Sequence, residues 1–374
     1  MFLFNRAIVA LLVIPFFISL SGDGGVTFDT RGGISHNFSV FPISLLISLP
    51  FLLYGLIGFL KDVKSLLFVF FIGISIVFNY SIYGDLKHVE FLIRVAWFVI
   101  LLSGFELFFE KKMAKYKDTE SFMKSFSPLL PLAVFMLVVI LSYFFIKPEA
   151  FFDAKVMVYN FRQYYSFITV FVIAIIADNK RWVELIIFLF LSFLLAIISD
   201  NITSIIILCL MVVYIIIGKF LPYFYTKKFF KLIVFTLVFV VFFYQLLSLV
   251  YVDIYGSNEI LRFNKISSMY DLIMWSDLFL PLKIDYDAHV FDYHNQLSVF
   301  ITGMGLLLSI LFYFIIIERM MGFHKDYPHT RLSVALISLL AGLTTLPTMH
   351  IFLSIIITYL LAYFSKLKKW VMTT

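Results

Sequence analysis

Runs of about 20 mostly apolar residues recur along almost the whole chain, each long enough to cross the hydrocarbon of a bilayer as a helix. We place about twelve such runs, at 3–21, 39–60, 65–83, 90–109, 128–146, 164–178, 183–199, 202–221, 230–251, 296–317, 332–346 and 348–365. Two pairs are joined by very short links, at Asp200–Asn201 and around Pro347. Antiparallel helices can turn that tightly. Apolar residues make up 62% of the 374-residue chain and charged residues 14%, against roughly 45–50% and about 25% in a soluble domain. A water-exposed fold could not hide that much apolar surface, so lipid is the expected solvent. The 48 phenylalanines are expected to face lipid or fill gaps between helices.

The charges then set the orientation. With the N-terminus in the cytoplasm, the connections expected on the inner side all carry Lys or Arg. Examples are Lys61 and Lys64, Lys111 to Lys124, Lys180 and Arg181, Lys219 to Lys231, Arg319 to Arg331, and Lys366 to Lys369. The outer side keeps Arg31, Lys87, Arg94, Lys147, Lys155, Arg162, Arg262, Lys265 and Lys283, a minority of the 29 cations. The bias repeats loop after loop, as the positive-inside rule requires. The expected fold is therefore all-α: a polytopic integral membrane bundle with both ends in the cytoplasm. It forms a single domain over 1–374, with one long outer loop, 252–295, between the ninth and tenth spans. The first run has no small-residue cleavage site, so it reads as a span and not as a cleaved signal. Cys209 lies inside an apolar run and is expected to act as a small buried hydrophobe.

Three outer loops stand out. Residues 21–38 are glycine-rich, residues 147–163 carry Arg162, and 252–295 is the longest connection in the chain. In the last, Ile266, Met269, Ile273 and Trp275 share one side of a helical repeat, while Arg262 and Lys265, three apart, share another. A helix of that kind lies on the membrane surface. It either holds two cations where an anionic diphosphate would sit or is an ordinary interfacial helix with snorkelling basic side chains. The following stretch gathers Asp285, Asp287, His289, Asp292 and His294 within ten positions. It reads either as a divalent-metal loop or as a solvated acidic loop. His294 opens the tenth span, followed at once by Asn295, and then by Gly303 and Gly305, which would allow close helix approach. A neutral imidazole at that rim can take a proton near neutral pH, or it can simply hydrogen-bond there.

The stretch from Leu261 to Phe314 resembles the O-antigen ligase and polymerase superfamily of bacterial membrane glycosyltransferases. The resemblance lies in Arg262 at the start of an amphipathic segment, the turn region Trp275–Pro281, His294–Asn295, and a glycine eleven residues after the histidine, Gly305. A weaker likeness extends back through residues 180–201. The chain departs from the family pattern where a Ser/Thr-Arg pair is expected, since it reads Ser199, Asp200, Asn201, and where a second glycine is expected, since it carries Leu308.

The resemblance implies a metal-independent, cofactor-free transferase in a bacterial inner membrane, with its active site facing the periplasm. Its donor would be an undecaprenyl-diphosphate-linked oligosaccharide. A chain-length regulator and a flippase would be its protein partners, membrane lipid its surroundings, and no nucleic acid would be involved. It assigns Arg262 to the departing diphosphate, with Arg162 and Lys265 as helpers and Arg31 or Arg162 in place of the missing family arginine. His294 becomes the general base, oriented by Asn295 or a nearby carboxylate such as Asp292. One-step displacement would invert the anomeric centre. A polymerase is favoured over a ligase, because polymerases are divergent, often short and rich in Phe and Ile, and because no arginine stands at 200 or 201. The rival from another class is a polysaccharide flippase or secondary transporter. Its coupling residues should be ionisable groups at mid-membrane, and Arg94 is the nearest the sequence offers.

Overall fold

The computed structural model describes residues 40–83, 86–113, 154–198, 201–255, 295–323, 326–343, 348 and 351–371. Among these the chain is built of helices and their connections. In chain order they are α1 (Val40–Gly58), α2 (Val63–Tyr83), α3 (Leu86–Met113), α4 (Ala154–Asp178), α5 (Trp182–Ile198), α6 (Ile202–Phe220), α7 (Lys227–Tyr255), α8 (Gln296–Met321), α9 (Pro328–Ala335) and α10 (Ile351–Val371). α9 continues as a π turn over Leu336–Leu340 and a 3-10 turn over Ala341–Leu343.

Every predicted segment from 39–60 onward overlaps one of these helices except 128–146, but α4 starts at Ala154, ten residues before the predicted 164 and within the stretch read as an outer loop. That segment and 3–21 lie outside the described residues. Four described helices are long and apolar enough to cross a membrane, over Phe91–Lys111, Ile202–Phe220, Lys227–Ser248 and Gln296–Met321.

Packing explains why these helices assemble as they do. α3 is the central post of one half and touches α1, α2 and α10. Its Phe98, Leu102, Phe105 and Phe109 are fully buried, and Phe109 meets Tyr359 and Tyr363 of α10 edge-on at 5.4 and 5.2 Å. The α1–α3 crossing is close enough to demand glycine. A Cβ at Gly55 would strike the Ile100 carbonyl, and one at Gly104 the Phe51 carbonyl.

α4 is the equivalent post of the second half, buried from Ser166 to Ala177 and packed on α5, α6 and α9. By contrast α5, α6 and α7 turn large apolar side chains outward, among them Val183, Phe190, Ile202, Phe235 and Phe242. An apolar exposed face of that extent suits hydrocarbon surroundings, not water.

α8 joins the halves, touching α2, α7, α9 and α10. It is not one continuous helix. At Gly305 the backbone takes φ 82°, ψ 162°, a region essentially closed to residues with a Cβ. Gly303 and Gly305 were expected to permit close packing. The structure gives Gly305 a different task, a break in the middle of the apolar run, with its carbonyl taken by the Ser309 hydroxyl at 2.7 Å.

Candidate functional site

The polar side chains collect at the two ends of the bundle, and the ends differ. One end gathers positions that the charge bias assigns to the cytoplasm. Arg319, near the C-terminus of α8, reaches Asp62 in the α1–α2 link at 2.6 Å, Glu106 of α3 at 3.1 Å and its neighbour Glu318 at 2.8 Å. Lys64 closes on Glu318 at 2.6 Å. Asp62, Glu106, Glu318 and Arg319 line a cavity of about 370 Å³ that also takes in Lys61, Glu110 and Lys366. Burial pushes the Asp62 carboxyl up, but the Ser65 hydroxyl and the Arg319 guanidinium outweigh it and hold the group below its ordinary value.

A second cluster lies at the same end. The Asp178 carboxylate, fully buried at the C-terminus of α4, caps the start of α9. It accepts from the backbone N–H of His329 (3.0 Å) and Thr330 (2.8 Å) and from the Thr330 hydroxyl (2.6 Å), and it pairs with His329 Nδ1 at 2.7 Å. His329 Nε2 meets the Tyr225 hydroxyl at 3.0 Å. Burial, with the Asp178 carboxylate adding to it, pushes that hydroxyl up to about 12. Arg331 donates to the Tyr225 carbonyl at 3.2 Å and lies 4.1 Å over the Phe230 ring. The sequence places Arg331 among the inner-side cations. It is 1% exposed, because Pro328 starts the helix four residues before the predicted 332 and draws the arginine into the core.

At the opposite end the structure describes two of the positions that the sequence singled out, the backbone of Arg162 and the whole of Asn295. His294, Arg262, Lys265, Asp292 and Arg31 lie outside the described residues, as does the whole 256–294 stretch for which the sequence predicts an amphipathic helix and an acidic loop. Arg162 is on the first half of α4. It precedes Ser166 by one helical turn, about 6 Å toward this end. The Ser166 hydroxyl bonds Ser204 at 2.6 Å and receives the Asn201 amide at 2.9 Å, and Asn201 in turn caps α6 through Ser204 N at 3.1 Å. The backbone of Arg162 therefore stands one turn beyond the Ser166–Asn201 contact.

Asn295 is fully described. It caps α8: its Oδ1 accepts from Ser298 N at 3.1 Å and from Gln245 Nε2 of α7 at 2.7 Å, while its Nδ2 donates to the Leu343 carbonyl at 3.4 Å. Its side chain is fully buried, so the amide is committed to the protein. Gln245 accepts from the Ser298 hydroxyl at 2.8 Å. The next residue, Gln296, donates to Tyr313 at 2.9 Å and accepts from Thr348 N at 3.0 Å. The first turn of α8 is thus bolted to α7 and to the connection between α9 and α10.

Sequence reasoning did not single out Gln245, although a signal was there. It is the amide inside the apolar run of α7, and a buried amide in a membrane helix needs partners. The pairing itself spans 50 residues and has no local signature.

No family model, curated protein or solved structure matches this chain. The likeness to the O-antigen superfamily therefore stands on its motif and spacing.

Proposed function

We propose that the chain is a membrane glycosyltransferase that polymerises lipid-linked glycan repeat units at the outer face of a bacterial inner membrane. The fold would be the about twelve-span bundle read from the hydropathy, both termini inside. In the reaction the acceptor hydroxyl oxygen attacks the anomeric carbon of a glycan carried on undecaprenyl diphosphate. The bond from that carbon to the diphosphate oxygen breaks, and the electron pair leaves with the diphosphate. His294 takes the acceptor proton, which contributes about 10²–10⁴-fold. Arg262, with Arg162 and Lys265, holds the charge on the leaving group, where a planar guanidinium suits phosphate oxygens best.

The observation that supports this reading most is the anchored start of α8. A base must be held on a rigid element while meeting a substrate at the lipid boundary. His294 is one peptide bond from Asn295, which three hydrogen bonds fix at the end of the bundle away from the Arg319 cluster. A carrier reading draws instead on the helix break at Gly305, since transporters build substrate sites from discontinuous helices.

One experiment separates the two. Cells carrying His294→Ala or Arg262→Ala should export and attach a single repeat unit but make no polymer. Full chains stranded on the carrier lipid would indicate a ligase. Polymer of normal length and attachment in both variants would refute the enzyme reading.

A further inference from the structure

We propose that the cavity at the Arg319 end seats the head of an inner-leaflet phospholipid that carries a primary ammonium beside its phosphate. This site is separate from the transfer chemistry at the outer face and does not depend on it. The cavity follows α3 from Glu110 to Ser103, a rise of about 10 Å. One headgroup layer of a bilayer is about 6 Å deep, so a whole head fits. Its volume of about 370 Å³ is that of a small-molecule site.

Floor and mouth offer different chemistry. At the floor, the Ser103 hydroxyl donates to the Val99 carbonyl at 3.0 Å, which leaves only its acceptor lone pairs for a ligand. Glu106, 13% exposed, gives one carboxylate oxygen to Arg319 Nε at 3.1 Å. Its other oxygen meets no donor among the described residues. A primary ammonium brings three N–H groups to such a floor.

The mouth carries donors instead. Lys61 lines it and enters no ion pair among the described residues. Lys366 reaches the exposed Glu110 only at 3.4 Å. Two ammonium groups at one rim, with a single loose carboxylate partner, suit a phosphate.

The balance of charge selects a head with both signs. Four carboxylates, of Asp62, Glu106, Glu110 and Glu318, line the cavity against the three cations Lys61, Arg319 and Lys366. A purely anionic head would add to that excess, whereas a zwitterion leaves it unchanged. The apolar flank selects a lipid. Leu60, beside Lys61, is exposed, as are Leu53, Leu56 and Ile57 further back along α1. They offer acyl chains a track from the Lys61 rim into hydrocarbon, which a free phosphoamine would leave uncovered.

The test uses the full-length protein, delipidated in detergent, and phospholipids with identical acyl chains and ethanolamine, choline or glycerol heads. Choline keeps both charges but has no N–H, and glycerol keeps the phosphate but has no cation. Bound lipid is counted by native mass spectrometry, and thermal unfolding is recorded beside it. The ethanolamine lipid should bind about 10-fold tighter than either of the others, as one charge-assisted hydrogen bond allows, and should raise the unfolding temperature most. Lys61→Ala should weaken it about 10-fold and leave the lipid-free unfolding temperature unchanged, because Lys61 holds no partner in the protein. Lys64→Ala makes the same charge change at a lysine that is tied to Glu318 and does not line the cavity. It should keep ethanolamine-lipid binding within about threefold of the parent.

Equal binding of the three heads overturns the proposal. So does an equal loss in Lys61→Ala and Lys64→Ala, which would reduce the effect to general attraction by a basic rim. Phosphoethanolamine without acyl chains is the last arm. If it binds as tightly as the lipid, the cavity belongs to a soluble ligand and the lipid assignment falls.

Discussion

At the scale of single residues, the chain spends its buried polar groups on fixing helix ends. Asn295 is the clearest case, because one amide serves as cap, as partner of Gln245 and as donor to the Leu343 carbonyl. Asn295→Ala removes the cap and strands the Gln245 donor in a dry site. The expected cost is about 2–4 kcal/mol, read as a lowered unfolding midpoint of the purified protein in detergent. Arg319 offers a second test, with a sign that pH decides. Its guanidinium is 11% exposed and faces three carboxylates, so Arg319→Met leaves them mutually repelling, at a cost of about 3 kcal/mol for a partly buried pair broken on one side. Asp62 is held below its ordinary 3.8, so the folded state binds its proton less readily than the unfolded chain. The stability this contributes is fully present above that ordinary value and disappears as pH falls through the lower folded value. Unfolding temperature measured from pH 6 downward should therefore drop below about pH 4 in the parent protein and drop less in Arg319→Met. Equal slopes would show that Arg319 does not set the carboxyl.

At the scale of elements, hydropathy located the helices well because a membrane imposes one length and one composition on each. The same uniformity hides what happens inside a helix. Nothing in the alternation of Leu, Ile and Phe distinguishes the π turn at Leu336–Leu340 from ordinary helix, since it keeps the apolar pattern and changes only the hydrogen-bond step. Gly305 was visible as a glycine but not as a break. Only its φ of 82° shows that the backbone itself disfavours a Cβ there. The candidate site was legible to a similar degree. The Asn295 position follows from a polar residue at the mouth of an apolar run, whereas the Gln245, Leu343 and Thr348 partners come from segments that meet only in the fold. The buried Asp178–His329 pair, 151 residues apart, was unreadable for the same reason. Gly305→Ala tests the break: holding an alanine there costs about 1–3 kcal/mol. The helix must either carry that strain or straighten and shift the packing of Phe300 on Phe312, now 5.0 Å apart and edge-on. Either way, the variant should unfold at lower temperature than the parent, and a Gly305→Ala protein of unchanged stability would show that α8 runs straight through.

At the scale of the whole molecule, the proposed chemistry requires two ends that face different compartments. The charge bias predicts this, and the bundle is consistent with it: Lys61, Lys64, Arg319 and Lys366 converge at one end, and Asn201 and Asn295 cap helices at the other. Alternation alone gives the same grouping whichever compartment each end faces, so the direction needs its own measurement. The single cysteine makes it accessible. Cys209 is exposed on the apolar flank of α6 and not buried as its apolar run suggested, so Cys209→Ser gives a thiol-free background with little loss of packing. Into it go Ser257→Cys, in the long loop after α7, and Lys228→Cys, at the exposed start of α7. A membrane-impermeant maleimide should label the first in cells whose inner membrane is intact, and the second only after that membrane is opened. The reverse pattern would put the long loop and His294 in the cytoplasm. A carrier-lipid glycan waiting on the outer leaflet could then never meet the proposed base, and the transferase reading would fail regardless of how well the first turn of α8 is anchored.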